Sequence, residues 1–169
     1  MKRIFRLMCM KMFWQDQYYN LKWGIWALRK YIPMVWKMRN FDRDYVYMMM
    51  KHQLTLLCDR IEYRGLEVEG DRMKKVKDMR RVIELLHNQI EDNFADRCGY
   101  DYNYKIDFVE CEDKKGFWEV VDNKTPEQKE NNDRALSESH KLEQDEWEEL
   151  WDTIKNGKES NIGMQGWWD

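Results

Sequence analysis

The hydrophobic positions of residues 42–64 repeat with the spacing of an α-helix that is apolar on two sides. One stripe consists of Tyr47, Met50, Leu54, Leu57, Cys58 and Ile61, and a second, nearly opposite, of Tyr45, Met49, His52, Leu56 and Tyr63. A helix at a protein surface needs only one apolar stripe. We therefore expect residues 42–64 to form the central helix of a bundle, with Asn40 or Asp42 as its cap.

Helical spacing also covers about residues 14–31, ahead of this segment. Its two apolar flanks are formed by Trp14, Tyr18, Leu21, Ile25 and Leu28, and by Tyr19, Trp23 and Trp26. Pro33 is expected to end or sharply bend this helix, because proline lacks a backbone donor and disfavours helix at the preceding residue. The short apolar run 4–13 fits a buried strand and a helix start equally well.

About residues 71–97 carry the most regular helical stripe, with Asp71 placed to cap the helix and Gly99 to terminate it. The stripe is formed by Met73, Val76, Met79, Ile83, Leu86, Ile90 and Phe94. Only a short acidic loop connects this segment to residues 42–64. The two helices are therefore predicted to form an antiparallel hairpin.

The hydrophobic period changes to two at Tyr100. Apolar and polar residues alternate as far as Phe108, and the turn-forming EDKKG is followed by the apolar FWEVV. A β-hairpin is therefore predicted at about residues 100–122. Because a lone hairpin is only marginally stable in water, we expect it to pack on the helices.

A last helix is predicted at about residues 126–156, since Thr125, Pro126 and Gln128 have the spacing of a capping box with proline at the first helical position. Its polar first half is expected to project or fray. Its second half is expected to dock through Leu142, Trp147, Leu150, Trp151 and Ile154. The pair at residues 167–168, both tryptophan, is expected to lie in a groove.

These elements predict a mainly α protein, a helical bundle of about four helices with one inserted β-hairpin, in a single domain of residues 1–169. The nine Trp, nine Tyr and twelve Met exceed what a small core needs, so we expect some of them at an interface or ligand pocket. The four cysteines form no CxxC pair and no zinc spacing, which favours reduced thiols in a cytosolic protein. No stretch approaches the roughly 18 apolar residues of a membrane span, and no membrane partner is expected.

Charge is distributed unevenly along the chain, although the formal net charge is only -3. Residues 1–40 carry nine Lys and Arg against one Asp, whereas residues 110–169 carry eight against seventeen acidic side chains. The two ends could attract one another, within one fold or between the subunits of a homo-oligomer. Alternatively, a basic face meets an anionic ligand. The absence of a dense Lys and Arg run favours the first interpretation.

Few residue patterns suggest catalysis. Glu84 and His87 have the Glu-x-x-His spacing of half a di-iron carboxylate motif, and Glu91 follows one turn on. Only one copy is present, and ordinary ion pairing of Arg80 with Glu84 explains these side chains better. The chain has no phosphate-binding glycine loop and no activated nucleophile. The sequence therefore predicts no catalytic residue, no metal and no cofactor.

The strongest candidate site is a cluster of aromatic and cationic side chains before residue 40. Its members are Trp23, Trp26, Arg29, Lys30, Trp36, Lys37 and Arg39. Such side chains can stack on a nucleobase and hold a phosphate, or contact a partner protein. Alternatively, the tryptophans belong to the core and the cations cover them. Single-stranded nucleic acid fits the chemistry, but no RNA-recognition or helix-turn-helix signature accompanies it.

Residues 31–42 resemble a segment of small, uncharacterised accessory proteins of tailed bacteriophages. Residues 90–92, 146–147 and 166–169 add to the resemblance, which extends from about residue 23 to the end. It implies a protein made in the cytoplasm of the infected bacterial host. We therefore expect a non-enzymatic protein that binds and neutralises a host factor or a defence-related nucleotide; the alternative is a structural or assembly protein of the virion.

Overall fold

Five α-helices and one β-hairpin make up the computed structural model, which describes residues 2–36, 44–111 and 116–168, with side chains from Met12 onward. The elements are α1 Lys2–Val35, α2 Asp44–Arg64, α3 Glu69–Glu91, α4 Phe94–Arg97, β1 Ile106–Glu110, β2 Trp118–Asp122 and α5 Pro126–Asn156, followed by a short 3-10 helix, Met164–Gly166. The predicted fold class is therefore confirmed. The chain consists of two compact units, Met1–Tyr45 and Val46–Asp169. The single domain stays a prediction.

Helix α1 begins earlier and ends later than predicted. It includes residues 4–13 and continues through Pro33, and the backbone N–H of Trp36 still donates to the Ile32 carbonyl at 2.9 Å. Pro33 lies in the last turn, so its missing donor costs one hydrogen bond near the helix end. No helix among the described residues has the length and hydropathy needed to cross a membrane. The predicted caps at residues 40 and 42 lie outside the described residues.

The most deeply buried helix of the second unit is α3, so the prediction that residues 42–64 form its centre is wrong. Helix α3 buries eight side chains and α2 three. The first predicted stripe of α2 does join the core through Leu54, Cys58 and Ile61, whereas Tyr63 of the second stripe is exposed. The core cluster combines residues of α2, α3 and α5 with Trp167.

Helices α2 and α3 follow one another through a short connection and share the core cluster, and their antiparallel arrangement stays a prediction. Near the turn, the Arg72 guanidinium donates to the Gly65 carbonyl at 3.1 Å, and farther along both helices Arg80 pairs with Glu62. Helix α3 begins at Glu69. The predicted cap, Asp71, therefore lies within the first turn instead.

One left-handed residue divides the helix predicted at residues 71–97. Asp92 has φ 48 and ends α3, and its backbone N–H donates to the Asn88 carbonyl at 3.1 Å. Helix α4 starts two residues later, at Phe94. Asp and Asn tolerate the left-handed conformation better than other non-glycine residues. The apolar stripe continues across the break, because Phe94 is buried.

The first half of α5 is held in place, so the prediction that it projects or frays is wrong. Asn132 is buried and exchanges two hydrogen bonds with the backbone of Asp101, at 2.8 and 2.9 Å. Ala135 and Ser139 are also buried. A buried amide and small side chains leave no apolar signal in the sequence. The predicted capping box of Thr125 and Gln128 is confirmed.

The hairpin is shorter than predicted and stands away from the helices. Strands β1 and β2 are antiparallel, with Ile106 opposite Asp122 and Glu110 opposite Trp118. All ten strand residues are exposed, so the prediction that the hairpin packs on the helices is wrong. Residues 100–105, which alternate like a strand, form an irregular segment ahead of β1.

A buried carboxylate attaches the C-terminal segment to α3. Asp78 accepts hydrogen bonds from the backbone N–H groups of Lys158, Glu159 and Ser160 at 2.9–3.1 Å, and from the Ser160 hydroxyl at 2.6 Å. Beyond this loop, the chain returns so closely to the end of α5 that Gly163 has no room for a side chain.

The predicted groove receives only the first residue of the terminal pair. Trp167 has no exposed surface, and its indole N–H donates to the Ile162 carbonyl at 2.9 Å. Trp168, by contrast, is 54% exposed.

We predict that Asp78→Ala lowers the free energy of unfolding by roughly 2–4 kcal/mol, because four donors lose their acceptor. Denaturant unfolding monitored by circular dichroism measures the loss. The matched control is Asp71→Ala on the same helix, where the exposed carboxylate lies 3.5 Å from Lys74 and should contribute under about 0.5 kcal/mol. Equal effects for the two variants would contradict the role of Asp78.

The terminal tryptophans give a second prediction. Trp167→Ala should lower the free energy of unfolding by about 3–5 kcal/mol, since it empties a fully buried site. Trp168→Ala should change it by less than about 1 kcal/mol. Thermal and denaturant unfolding of both variants measure the difference, and a loss at residue 168 as large as at residue 167 would contradict the account.

Candidate functional site

The described members of the predicted cluster are a set of exposed side chains in the last third of α1 and at Trp36, the residue after the helix. We call it the aromatic–basic surface and define it as Trp23, Trp26, Arg29, Lys30 and Trp36. Trp23 is 60% exposed and Trp36 87% exposed, so the interpretation of these side chains as core residues is wrong. The two remaining members of the predicted cluster, Lys37 and Arg39, lie outside the described residues.

Helical spacing sets the geometry of this surface. The indole rings of Trp23 and Trp26 meet edge to face, with centroids 5.8 Å apart and an interplanar angle of 79°. Arg29 and Lys30 follow Trp26 by three and four residues, so these positions are its neighbours on the helix surface. The arrangement presents indole faces next to positive charge, which suits an anionic or acidic partner with an apolar surface.

A second apolar flank of α1 is exposed as well. Its described members are Trp14, Tyr18, Leu21, Ile25, Leu28 and Ile32. Gln15, Lys22 and Arg29 recur every seven residues between the two flanks and separate them. The sequence predicts both flanks from periodicity, but it does not predict that both face solvent.

The metal candidate is a set of exposed side chains with ordinary ion pairs. Glu84 accepts a hydrogen bond from Arg81 at 2.9 Å, and His87 Nδ1 lies 3.5 Å from Glu91. The predicted pair of Arg80 with Glu84 is wrong, because Arg80 pairs with a carboxylate of α2. Across the described residues, no three His, Cys, Asp or Glu side chains converge as a metal site would require.

An ion-pair cluster between α3 and the C-terminal part of the chain was missed from the sequence. Arg81 donates two hydrogen bonds to Glu149, at 2.6 and 3.1 Å, and Lys158 lies 3.0 Å from the same carboxylate. These bonds, chiefly those from Arg81, lower the pKa of Glu149 to about 2. The partners lie 68 residues apart in the chain. Because Arg81 of α3 and Lys158 share the carboxylate of Glu149 in α5, the cluster attaches α3 to α5.

Glu146, one of the residues that carry the bacteriophage resemblance, holds elements together. It is buried in α5 and accepts hydrogen bonds from Asn88 at 2.9 Å and from Arg97 at 2.5 Å. The hydrogen bond raises the pKa of Arg97. Trp167, which also carries the resemblance, is buried. Asp92, another of these residues, has a left-handed backbone conformation. These residues therefore maintain the fold, and the candidate binding side chains lie elsewhere.

Three aromatic and cationic side chains fix the base of the hairpin. The hydroxyls of Tyr100 and Tyr104 are 3.3 Å apart, and the Lys124 ammonium lies 4.1 Å from the centroid of the Tyr104 ring. Lys124 also pairs with Asp122 at 2.6 Å, and this hydrogen bond raises the pKa of Lys124. The contacts join the segment before β1 to the residues that follow β2.

Comparison with known proteins gives no match to the chain, whether with family models, curated proteins or solved structures. The assignment of the candidate site therefore depends on its own geometry.

The lowered pKa of Glu149 predicts a pH dependence of stability. Its carboxyl binds a proton more weakly in the folded chain than in the unfolded one, where the pKa is about 4.5. The stabilisation is therefore complete above pH 4.5 and is lost as the pH falls to about 2. Glu149→Gln should cost roughly 1–2 kcal/mol at pH 7, since a quarter of the side chain is exposed and solvent screens the pair.

Unfolding of wild type and Glu149→Gln across this pH range measures the effect, and the two stabilities should converge at low pH. The neighbouring Glu148→Gln, whose residue is exposed, should follow the wild type throughout. A constant difference between wild type and Glu149→Gln from pH 7 to pH 2 would contradict the role of the carboxylate charge.

Proposed function

We propose that the chain is a non-enzymatic bacteriophage accessory protein, which binds and neutralises a host protein through the aromatic–basic surface of α1. The observation that carries the proposal is the exposure of Trp23 and Trp26 beside cations on one described helix, with the exposed Trp36 directly after it. Tryptophan and arginine contribute more than other residue types to the energy of protein interfaces. The resemblance to small proteins of tailed bacteriophages supports the viral origin and the cytoplasm of the infected host as the place of action.

The shape of the surface favours a protein over a nucleotide. A single helix presents a convex surface, whereas sites for small molecules are concave and enclose most of the ligand. A helix with exposed apolar side chains fits a groove on a partner protein instead. Arg29 and Lys30 favour a groove with an acidic rim. A defence-related nucleotide is the alternative ligand, and the experiment below tests it as well.

A structural or assembly role in the virion is the alternative function. Exposed aromatic side chains on α1 and on the hairpin would then form contacts between subunits. Mass spectrometry of purified virions separates the two functions. Stoichiometric amounts of the chain in virions would favour the structural role, and its absence favours binding to a host protein.

The proposal predicts that the double variant Trp23→Ala/Trp26→Ala loses its partner. The tagged full chain should capture a host protein from infected-cell lysate, and the double variant should capture at least about tenfold less, as expected for hot-spot residues. Trp168→Ala is the matched control, because its indole is similarly exposed in another part of the chain. Circular dichroism should show equal helix content in all three proteins.

Two outcomes would contradict the proposal. One is equal capture by the wild type and the double variant. The other is a thermal shift of the wild-type chain with a cyclic or linear nucleotide that the double variant does not show, because this would make the surface a nucleotide site.

A further inference from the structure

The hairpin carries apolar side chains on both faces, and the described part of the chain leaves most of their surface exposed. Residues opposite one another in the register share a face. One face presents Ile106, Phe108, Trp118 and Val120, and the other presents Val109, Cys111, Phe117 and Val121. Phe108 is 64% exposed and Trp118 62% exposed. A two-stranded hairpin of this kind is marginally stable in water, so its apolar faces favour a covering partner.

The register also shows which backbone groups the hairpin leaves unpaired. The Asn123 N–H donates to the Lys105 carbonyl at 3.1 Å, and the Cys111 N–H donates to the Phe117 carbonyl at 2.8 Å. Since hydrogen-bonded pairs alternate along an antiparallel ladder, residues 106, 108 and 110 of β1 point their backbone groups outward, as do residues 118, 120 and 122 of β2. Within the described chain the sheet has two strands. Each strand therefore offers an edge to which a further strand can add.

All charged residues of the two strands are acidic. They are Asp107, Glu110, Glu119 and Asp122. Lys124 at the base of the hairpin pairs with Asp122, but no cation lies within either strand. Two hairpins from two copies of the chain would bring carboxylates together at their edges. The charge pattern therefore disfavours pairing with a second hairpin and favours a basic strand.

The base of the hairpin is held by contacts on the helix side. Tyr100, Tyr104 and Lys124 hold its base, and Asn132 of α5 holds the preceding segment through the backbone of Asp101. A partner strand therefore meets a hairpin whose base is already held, which lowers the entropic cost of docking.

We propose that the hairpin is a second docking site, at which a basic and apolar segment of a partner protein adds as a third strand. Backbone hydrogen bonds to an outward edge would supply affinity, and alternate side chains would supply specificity. The apolar side chains of the segment cover the exposed face around Phe108 and Val120. Its lysines or arginines alternate with these apolar side chains, so they lie on the opposite face and pair with Asp107 and Glu119 there. This site uses none of the residues assigned to the aromatic–basic surface, and it is tested separately.

Two synthetic peptides with valine at alternate positions test the proposal. One carries lysine and the other glutamate at the remaining positions. Fluorescence anisotropy of the labelled peptides with the full chain measures binding. The lysine peptide should bind at least about tenfold more tightly than the glutamate peptide, and its affinity should fall with added salt.

Proline at outward positions distinguishes edge addition from contact with a face. The double variant Phe108→Pro/Val120→Pro removes an outward donor from each edge without removing a donor of the ladder between β1 and β2. It should bind the lysine peptide at least about tenfold more weakly than Phe108→Ala/Val120→Ala, which loses the same side chains but keeps both outward donors. The charge variant Asp107→Lys/Glu119→Lys keeps every backbone donor and should also lose binding. Glu138→Lys/Glu148→Lys on the exposed side of α5 makes the same change of charge and should bind like the wild type.

Three results would overturn the proposal. The first is equal binding of the two peptides, or binding of neither. The second is binding of the lysine peptide by the hairpin variants as tightly as by the wild type. The third is a dimeric mass in light scattering that becomes monomeric in the proline variant, because a second copy of the chain would then be the occupant.

Discussion

Burial of α3 on two sides is the constraint on which the second unit depends. Its side chains at Met79, Val82, Leu85 and Leu86 have no exposed surface, and they meet α2 and α5 in one core cluster. A helix buried this deeply must also place its polar side chains where partners satisfy them. Asp78 is therefore surrounded by donors of the C-terminal segment, and Arg81 lies against Glu149. The positions of α5 and of Trp167 follow from these contacts.

Much of this unit could be predicted from periodicity, because local spacing determines which residues share a helix face. The short connection between α2 and α3, the Thr125 cap and the change to a period of two near residue 100 all have local signals. The central role of α3 has no such signal, since Val82 and Leu85 lie off the single stripe that the spacing reveals. Asp78 shows the opposite error, because the sequence suggests an exposed residue and the structure buries it. A charged residue looks solvent-exposed in a sequence, and its partners lie about 80 residues further on.

The candidate site also combines a feature that local sequence spacing predicts with one that it does not. The neighbourhood of Trp23, Trp26 and Lys30 could be predicted, because three residues on one helix have fixed spacing. Their exposure could not, since an aromatic stripe looks the same whether a core or solvent covers it.

The exposed hairpin was likewise predicted to be covered, on the sound argument that lone hairpins are weak. Both surfaces are thus places where apolar side chains remain exposed, one beside cations and the other beside carboxylates. The core cluster lies in α2, α3, α5 and Trp167, so substitutions on either surface should change binding while the core stays folded.

Hydrogen exchange of the full chain, with and without the purified captured host protein, tests the central claim most directly. Amide exchange in the second half of α1 should slow when the partner binds, because the aromatic–basic surface becomes covered and the helix is held. The amides of α3 should exchange at the same rate in both samples. Protection confined to the hairpin or to α5, with α1 unchanged, would contradict the assignment of the binding surface to α1.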